Sequence, residues 1–212
     1  MTDPAALDPL LFAWLAARSI ARGLPLPVAS HGGYRVDTRS DTETARWVFA
    51  KPGPALEALA RAIHAPRHFV KSCVTPDALH AVLPGGWQVQ APGYFMIAED
   101  APHELALATG YQLETERQGA VIAVRIIAAG GDLAASGHAA ETAEAFIYDR
   151  IITAEAHRRR GLGAAVMAAL HRTKQRRDTP ELLVATEDGR ALYTSLGWRV
   201  LAPFSTGSIP DA

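Results

Sequence analysis

The sequence has a single cysteine, three methionines and aromatic side chains at only 7% of its 212 positions. The lone thiol, Cys73, cannot close a disulfide within the chain, which excludes a disulfide-stapled fold and fits a reducing compartment. No uninterrupted apolar stretch approaches the ~20 residues that a membrane span needs. Asp3 and Asp8 stand ahead of the first apolar run, where a secretory signal would carry cations. An excess of one charge is also missing. With 21 Lys and Arg against 22 Asp and Glu, the net charge is -1, so bulk attraction to nucleic acid or acidic lipid is excluded and any basic patch is local. These absences predict a cytoplasmic protein without membrane or nucleic-acid partners. Its 49% of apolar residues can fill the core of one large domain or two small ones.

The N-terminal half mixes helix and strand signals. Asp8 followed by Pro9 reads as a helix cap, with Leu10, Leu11, Trp14 and Leu15 on one face and Gly23 as the stop. Residues 34–37 and 46–49 read as strands. Pro52-Gly53-Pro54 then opens a helix carrying Leu56, Leu59, Ala60 and Ile63, closed by Pro66. His64 and His68 have the spacing of metal ligands on a helix, but Pro66 breaks any helix between them, so no metal is expected. A strand over 68–74 includes Cys73 as a small core residue. Thr75-Pro76-Asp77 caps a helix ending near Leu83, and strands at 87–90 and 94–97 lead to a loop over 100–104. Trp14, Trp47 and Trp87 are expected in the core.

The C-terminal half has a sharper pattern. Strands over 111–115, 121–127, 133–138 and 145–153 are joined by short turns, which makes them antiparallel neighbours. The last one runs into a basic loop, His157-Arg158-Arg159-Arg160, which closes on Gly161 and Gly163 and opens a helix at once. That order describes an anion cradle: the glycines admit a ligand to the backbone, and the first helical turn offers unpaired N–H groups at the positive end of the dipole. Val166, Met167 and Leu170 share one side of this helix, and cations from Arg172 to Arg177 gather towards its end. An apolar strand over 181–186 follows, then a helix capped by Asp188 and stopped by Gly197, and a last strand over 199–202. The tail after Phe204 carries no clear signal.

The two halves echo each other. Ala78-Leu79-His80-Ala81-Val82-Leu83-Pro84-Gly85-Gly86-Trp87-Gln88-Val89 runs like Ala191-Leu192-Tyr193-Thr194-Ser195-Leu196-Gly197-Trp198-Arg199-Val200, with one extra residue before its last glycine. Two readings stand side by side: a worn repeat, and chance similarity of two helix-Gly-Trp corners.

Arg158-x-x-Gly161-x-Gly163 between a strand and a helix, followed by the 181–186 strand and Leu192-Tyr193-x-x-Leu196-Gly197-Trp198, resembles the GNAT superfamily of acyl-CoA-dependent N-acyltransferases. The resemblance is firm over 145–202 and extends to Tyr111. It implies a bent, mixed, mostly antiparallel sheet flanked by helices, an α/β fold. Residues 99–212 would be the acyltransferase domain, and 1–98 a helical and α/β region that either is or is not a degenerate GNAT-like half.

By resemblance, the amides of Arg159, Arg160, Gly161, Leu162, Gly163 and Ala164 cradle the coenzyme A pyrophosphate, and Arg158, Arg159 and Arg160 add charge. Ile151, Ile152 and Thr153 pair with the pantetheine arm, and an amide near Ile152 or Thr153 receives the oxyanion. Tyr193 matches the family tyrosine that protonates the departing thiolate. The general base stays open among Asp149, Glu144, Glu141, His138 and a water chain. Alternation along the strand puts Asp149 on the same face as Ile151 and Thr153. The implied reaction is acetyl transfer from acetyl-CoA, without a metal, to a primary amine of a small molecule. Acetylation of a protein N-terminus or lysine, and a non-catalytic coenzyme A sensor, are the alternatives. Nucleic-acid binding through the arginines ranks last, for want of interleaved aromatics. Monomer and homodimer are equally open.

Overall fold

Two helix-and-strand units share strands so that a single twelve-stranded sheet runs through the molecule. The computed structural model describes residues 4–100 and 107–211; most of the loop expected over 100–104, and Asp3, lie outside the described residues. In chain order the elements are α1 (Pro4–Ala21), β1 (Val28–Ser30), β2 (Gly33–Asp37), β3 (Ala45–Phe49), α2 (Pro54–Ala62), β4 (His68–Ser72), α3 (Pro76–His80), β5 (Gln88–Val89) and β6 (Gly93–Ala98). The C-terminal part adds β7 (Tyr111–Gln118), β8 (Val121–Ala128), β9 (Leu133–Glu141), β10 (Phe146–Thr153), α4 (Leu162–Arg172), β11 (Glu181–Thr186), α5 (Glu187–Ser195) and β12 (Trp198–Ser208). The sheet order is β1-β2-β3-β4-β12-β6-β11-β10-β9-β8-β7, with β5 on β12. All neighbours are antiparallel except β3 with β4 and β10 with β11, each joined by a crossover helix. The fold is the mixed, mostly antiparallel α/β sheet expected.

The strand sharing is reciprocal. β6, which follows β5, crosses over and inserts between β11 and the first part of β12. The second part of β12, from Ser205 to Ser208, crosses the other way and pairs with β4 and β5. The tail beyond Phe204 is therefore ordered strand, although its Ser, Thr and Gly residues carry no apolar alternation to announce it.

Three apolar clusters hold the layers. One, under α4, joins Val166, Met167 and Leu170 to Ile122, Val124 and Ile126 of β8 and to Phe146 of β10. A second seats α1 on the other face through Leu11, Trp14 and Leu15 against Ile147, Phe95 and Phe204. The third, under α2, contains Trp47, Leu56, Leu59 and Trp87. Burial at ~25 cal/mol per Å² of apolar surface is the main stabilising term in each. Close approach of α4 depends on Gly137 of β9, where a Cβ would lie 2.5 Å from Val166 Cγ1 and 2.6 Å from Ile151 Cδ1. Burial lifts the Cys73 thiol to about 12, which leaves it an inert core group.

Three local expectations change. α1 begins at Pro4, so Pro9 lies inside the helix and Asp8 does not cap it; the Asp8 carboxylate instead accepts from the Tyr34 hydroxyl at 2.7 Å. The cap of α5 is Thr186, whose hydroxyl accepts from the Gly189 amide, and Asp188 sits in the first turn. α4 stops at Arg172, and Lys174 beyond it turns back to the Thr179 carbonyl at 2.7 Å and to Glu181 at 3.0 Å.

Candidate active site

β10 and β11 are hydrogen-bonded neighbours only at Phe146↔Glu181 and Ile147↔Leu182. Beyond that point β10 follows β9 and β11 follows β6, and the parting of the strands opens a cleft of about 1260 Å³. Ile151, Ile152 and Thr153 line one side of it. A β-bulge between Asp149 and Ile152 shapes that wall, with Arg150 in the left-handed region at φ 53.

The loop from β10 to α4 forms the cradle. Arg158 is extended, Arg159 has φ 63 and Gly161, the cap of α4, has φ 74. Residues of alternating hand turn successive amides towards one concavity, and the unpaired N–H groups of α4's first turn add to it. A Cβ on Gly163 would lie 3.1 Å from Leu192 Cδ2, so any side chain there narrows the gap between α4 and α5. Arg158, Arg159, Gly161, Leu162, Gly163 and Ala164 all line the cleft. Arg160 does not: it donates to the Tyr111 hydroxyl at 2.8 Å and ties the loop to β7, with the His157 ring on the same hydroxyl at 2.9 Å. The residues present fit an extended phosphate-bearing ligand.

Tyr193, on α5, faces the same cleft and is 8% exposed. Burial, with the Asp149 charge second, lifts its phenol to about 12, so it stays protonated and able to donate across the neutral range.

The candidate bases are placed differently from one another. Glu144 is exposed in the turn before β10, at the end of the strand opposite the cleft. Glu141 is buried and caps the chain after α4, accepting from the amides of Gln175 and Arg176 at 2.8 and 2.7 Å and from Arg117 at 3.1 Å. Although burial opposes its charge, those bonds hold its carboxyl below the usual range. Asp149 lines the cleft, but not on the face expected from strict alternation. The bulge at Arg150 inverts the pattern: Ile151 packs towards α4, while Asp149 points to α1. Both Asp149 oxygens accept from Arg22, at 2.6 and 2.7 Å, with Arg18 at 3.7 Å and Arg150 at 3.4 Å. Opposite Asp149 on β9, His138 has its Nδ1 buried without a hydrogen-bond partner, and burial together with Arg150 lowers its pKa.

Sequence reasoning missed the other end of the cleft, which the N-terminal half builds. Arg18 and Arg22 of α1, Arg46 of β3, Lys71 of β4 and Thr206 of β12 line it beside Trp14, Val48 and Phe204. The available signal was two cations, Arg46 and Lys71, inside otherwise apolar strands. Among the described residues there is no group of three or more His, Cys, Asp and Glu side chains placed to hold a metal. None of the helices described is long and apolar enough to cross a membrane.

Comparison with known proteins agrees with this geometry. Residues 94–200, half of the chain, match the acetyltransferase (GNAT) domain. Among solved structures, a GCN5-related N-acetyltransferase from Kribbella flavida is 17% identical and superposes with a TM-score of 0.66 over 96% of each chain. One from Sphaerobacter thermophilus is 12% identical, with a TM-score of 0.57 over 99% of this chain and 95% of that one. A tandem GNAT protein from the clavulanic acid biosynthesis pathway is 14% identical, with a TM-score of 0.53 over 98% and 96%. Among curated proteins none matches. With the splayed strands, the loop and its helix in the order that the family requires, this chain belongs to the GNAT superfamily of acetyltransferases.

Proposed function

We propose that the protein is an N-acetyltransferase that moves an acetyl group from acetyl-CoA to the primary amine of a small molecule. The observation that carries this reading is the continuous cleft from the amide nest at Arg159 and Gly161, past the parted β10 and β11, to a chamber walled by the N-terminal half. Amides at residues 159–164 and the Arg158 and Arg159 side chains bind the pyrophosphate, and the free edge at residues 151–153 orients the pantetheine arm. The amine attacks the thioester carbonyl, a C–N bond forms, and an amide near Ile152 or Thr153 holds the oxyanion. As the C–S bond breaks, Tyr193 gives its proton to the sulfur and regains one from water in the open cleft, which takes up the amine's proton. Asp149, engaged on both oxygens by Arg22, positions the α1 arginines and takes no proton in this scheme. Glu144 has no part in it.

The same reading treats residues 1–98 as a worn copy of 99–212. In support, β3-α2-β4-α3-β5 has the order of β10-α4-β11-α5-β12, with a parallel strand pair in each and a strand lent to the other half.

The test is a free-thiol assay with acetyl-CoA and a broad panel of amines. Amine-dependent release of coenzyme A, with the acetylated amine identified by mass, is the expected result. Binding of acetyl-CoA without transfer to any amine sinks the transferase reading in favour of a sensor.

A further inference from the structure

We infer that the acceptor carries an anionic group, a carboxylate or a phosphate, which the N-terminal half holds among Lys71, Arg46 and the arginines of α1 while the amine faces the opening between β10 and β11. This rests on the transferase reading above.

Val48, Lys71 and Thr206 are direct partners across β3, β4 and β12, so their side chains stand in one row on one sheet face, with Arg46 two residues back along β3. All four line the cleft, and α1 closes over them with Trp14, Arg18 and Arg22. The charges in this chamber do not balance. Glu43 pairs with Arg46, and Asp149 is shared by Arg22, Arg18 and Arg150. Two carboxylates thus face five cations once Lys71 is counted.

Among the described residues Lys71 has no carboxylate within ion-pair distance. Its ammonium donates to Thr206 Oγ1 at 3.2 Å and keeps two further protons to give. Burial, then the Arg46 charge, lowers its pKa to about 8, and it is still mostly cationic at neutral pH. The Phe69 ring lies 5.3 Å from it and brings no counter-charge; a half-buried cation without a carboxylate is costly, and cations grouped for solubility alone would stand on the outer surface instead. Here they converge on a chamber whose remaining walls, Trp14, Val48 and Phe204, are apolar. A ligand anion completes the set. The same field repels polyamines and lysine side chains, so it selects against the acceptors that a neutral chamber would admit.

Calorimetry on the intact chain saturated with coenzyme A tests this without turnover. The probes are N-acetyl amino acids with small, acidic, basic and aromatic side chains, their neutral C-terminal amides, and N-acetyl-2-aminoethyl phosphate with its neutral counterpart N-acetylethanolamine. We expect at least one acid or the phosphate to bind ~10-fold or more tightly than its neutral counterpart, since a charge-assisted pair is lost in the amide. Which of the two anions binds better identifies the group. Lys71→Met should remove most of that preference, and Lys71→Arg should keep it. Equal affinity of every anionic probe, the phosphate included, and its neutral counterpart in the unsubstituted protein overturns the inference, as does a preference unchanged in Lys71→Met. Weakened coenzyme A binding in Lys71→Met also overturns it, because the cluster then serves the coenzyme's own phosphates. In the amine panel, diamines acetylated as fast as amino acids sink the inference and leave the transferase reading intact. Acidic ligands that bind while no amine is acetylated do the reverse.

Discussion

The two parallel strand pairs among the described residues have corresponding places in the chain order and opposite fates. β3 and β4 stay paired at all five positions from Ala45↔His68 to Phe49↔Ser72, and the chain leaves β3 through Pro52-Gly53-Pro54. β10 and β11 part after two pairs, and the chain leaves β10 through the arginine and glycine loop. Gly53, the cap of α2, has extended backbone, whereas Gly161, the cap of α4, stands in the left-handed region at φ 74. A closed pair leaves a continuous sheet face, which in the N-terminal half carries Arg46 and Lys71; a parted pair leaves a slot. One topology thus provides either a continuous wall or an open slot, according to where its hydrogen bonds stop.

The strongest way to probe the parted pair is to remove the hydroxyl that faces it. Tyr193→Phe is expected to lower kcat by about a hundredfold or more, with little change in the affinity for acetyl-CoA measured by calorimetry, because a general acid acts in the transition state. An unchanged kcat would move the acid role elsewhere. Next comes the packing that holds α4 over the parted strands. Gly137→Ala should cost about 1–3 kcal/mol in urea denaturation, since the new methyl meets Val166 and Ile151 inside normal contact distance. No loss would mean that α4 is free to shift.

The smallest effect belongs to the closed pair. The folded-state pKa of Lys71, about 8, lies below that of a free lysine because of burial, Arg46 and Arg22, with Glu43 opposing. Below pH ~8 the group is charged in both states and its desolvation penalty is fully present. As pH climbs from ~8 towards ~10.5, only the unfolded chain keeps the proton, so folding becomes more favourable. Relative to Lys71→Met, the unsubstituted protein should gain stability over that window, by at most about 1.4 kcal/mol per pH unit. The comparison with Lys71→Met subtracts Cys73, whose raised pKa acts in the opposite sense. A flat difference across the window contradicts the buried-cation account.

Much of the C-terminal slot was legible in the sequence because its signals are local: alternation along β7, β8 and β10, two glycines one residue apart, and a Gly-Trp corner after α5. The face of Asp149 was not. Nothing in Asp149-Arg150-Ile151 marks a bulge, since an arginine in the left-handed region looks like any other, and one extra residue is enough to invert every side chain before it relative to those after it. The second half of β12 escaped notice because its order comes from pairing with β4, more than a hundred residues away, and not from its own small polar residues. For the same reason the basic chamber could not be assembled from its two local signals, the cations inside apolar strands. Arg46 and Lys71 meet only through the β3 and β4 register, and Arg22 reaches Asp149 across 127 positions of sequence.

In the proposed function the parted pair, and only that pair, holds the coenzyme. Isothermal calorimetry with acetyl-CoA on the unsubstituted protein, Gly163→Asp and Gly53→Asp tests it directly. One binding site per chain is expected in the unsubstituted protein. Gly163→Asp, which puts a bulky anion into the cradle, should weaken binding ~100-fold, and Gly53→Asp, at the start of the matching helix in the N-terminal half, should leave it unchanged. Two sites per chain, or a single site lost in Gly53→Asp and kept in Gly163→Asp, would contradict it.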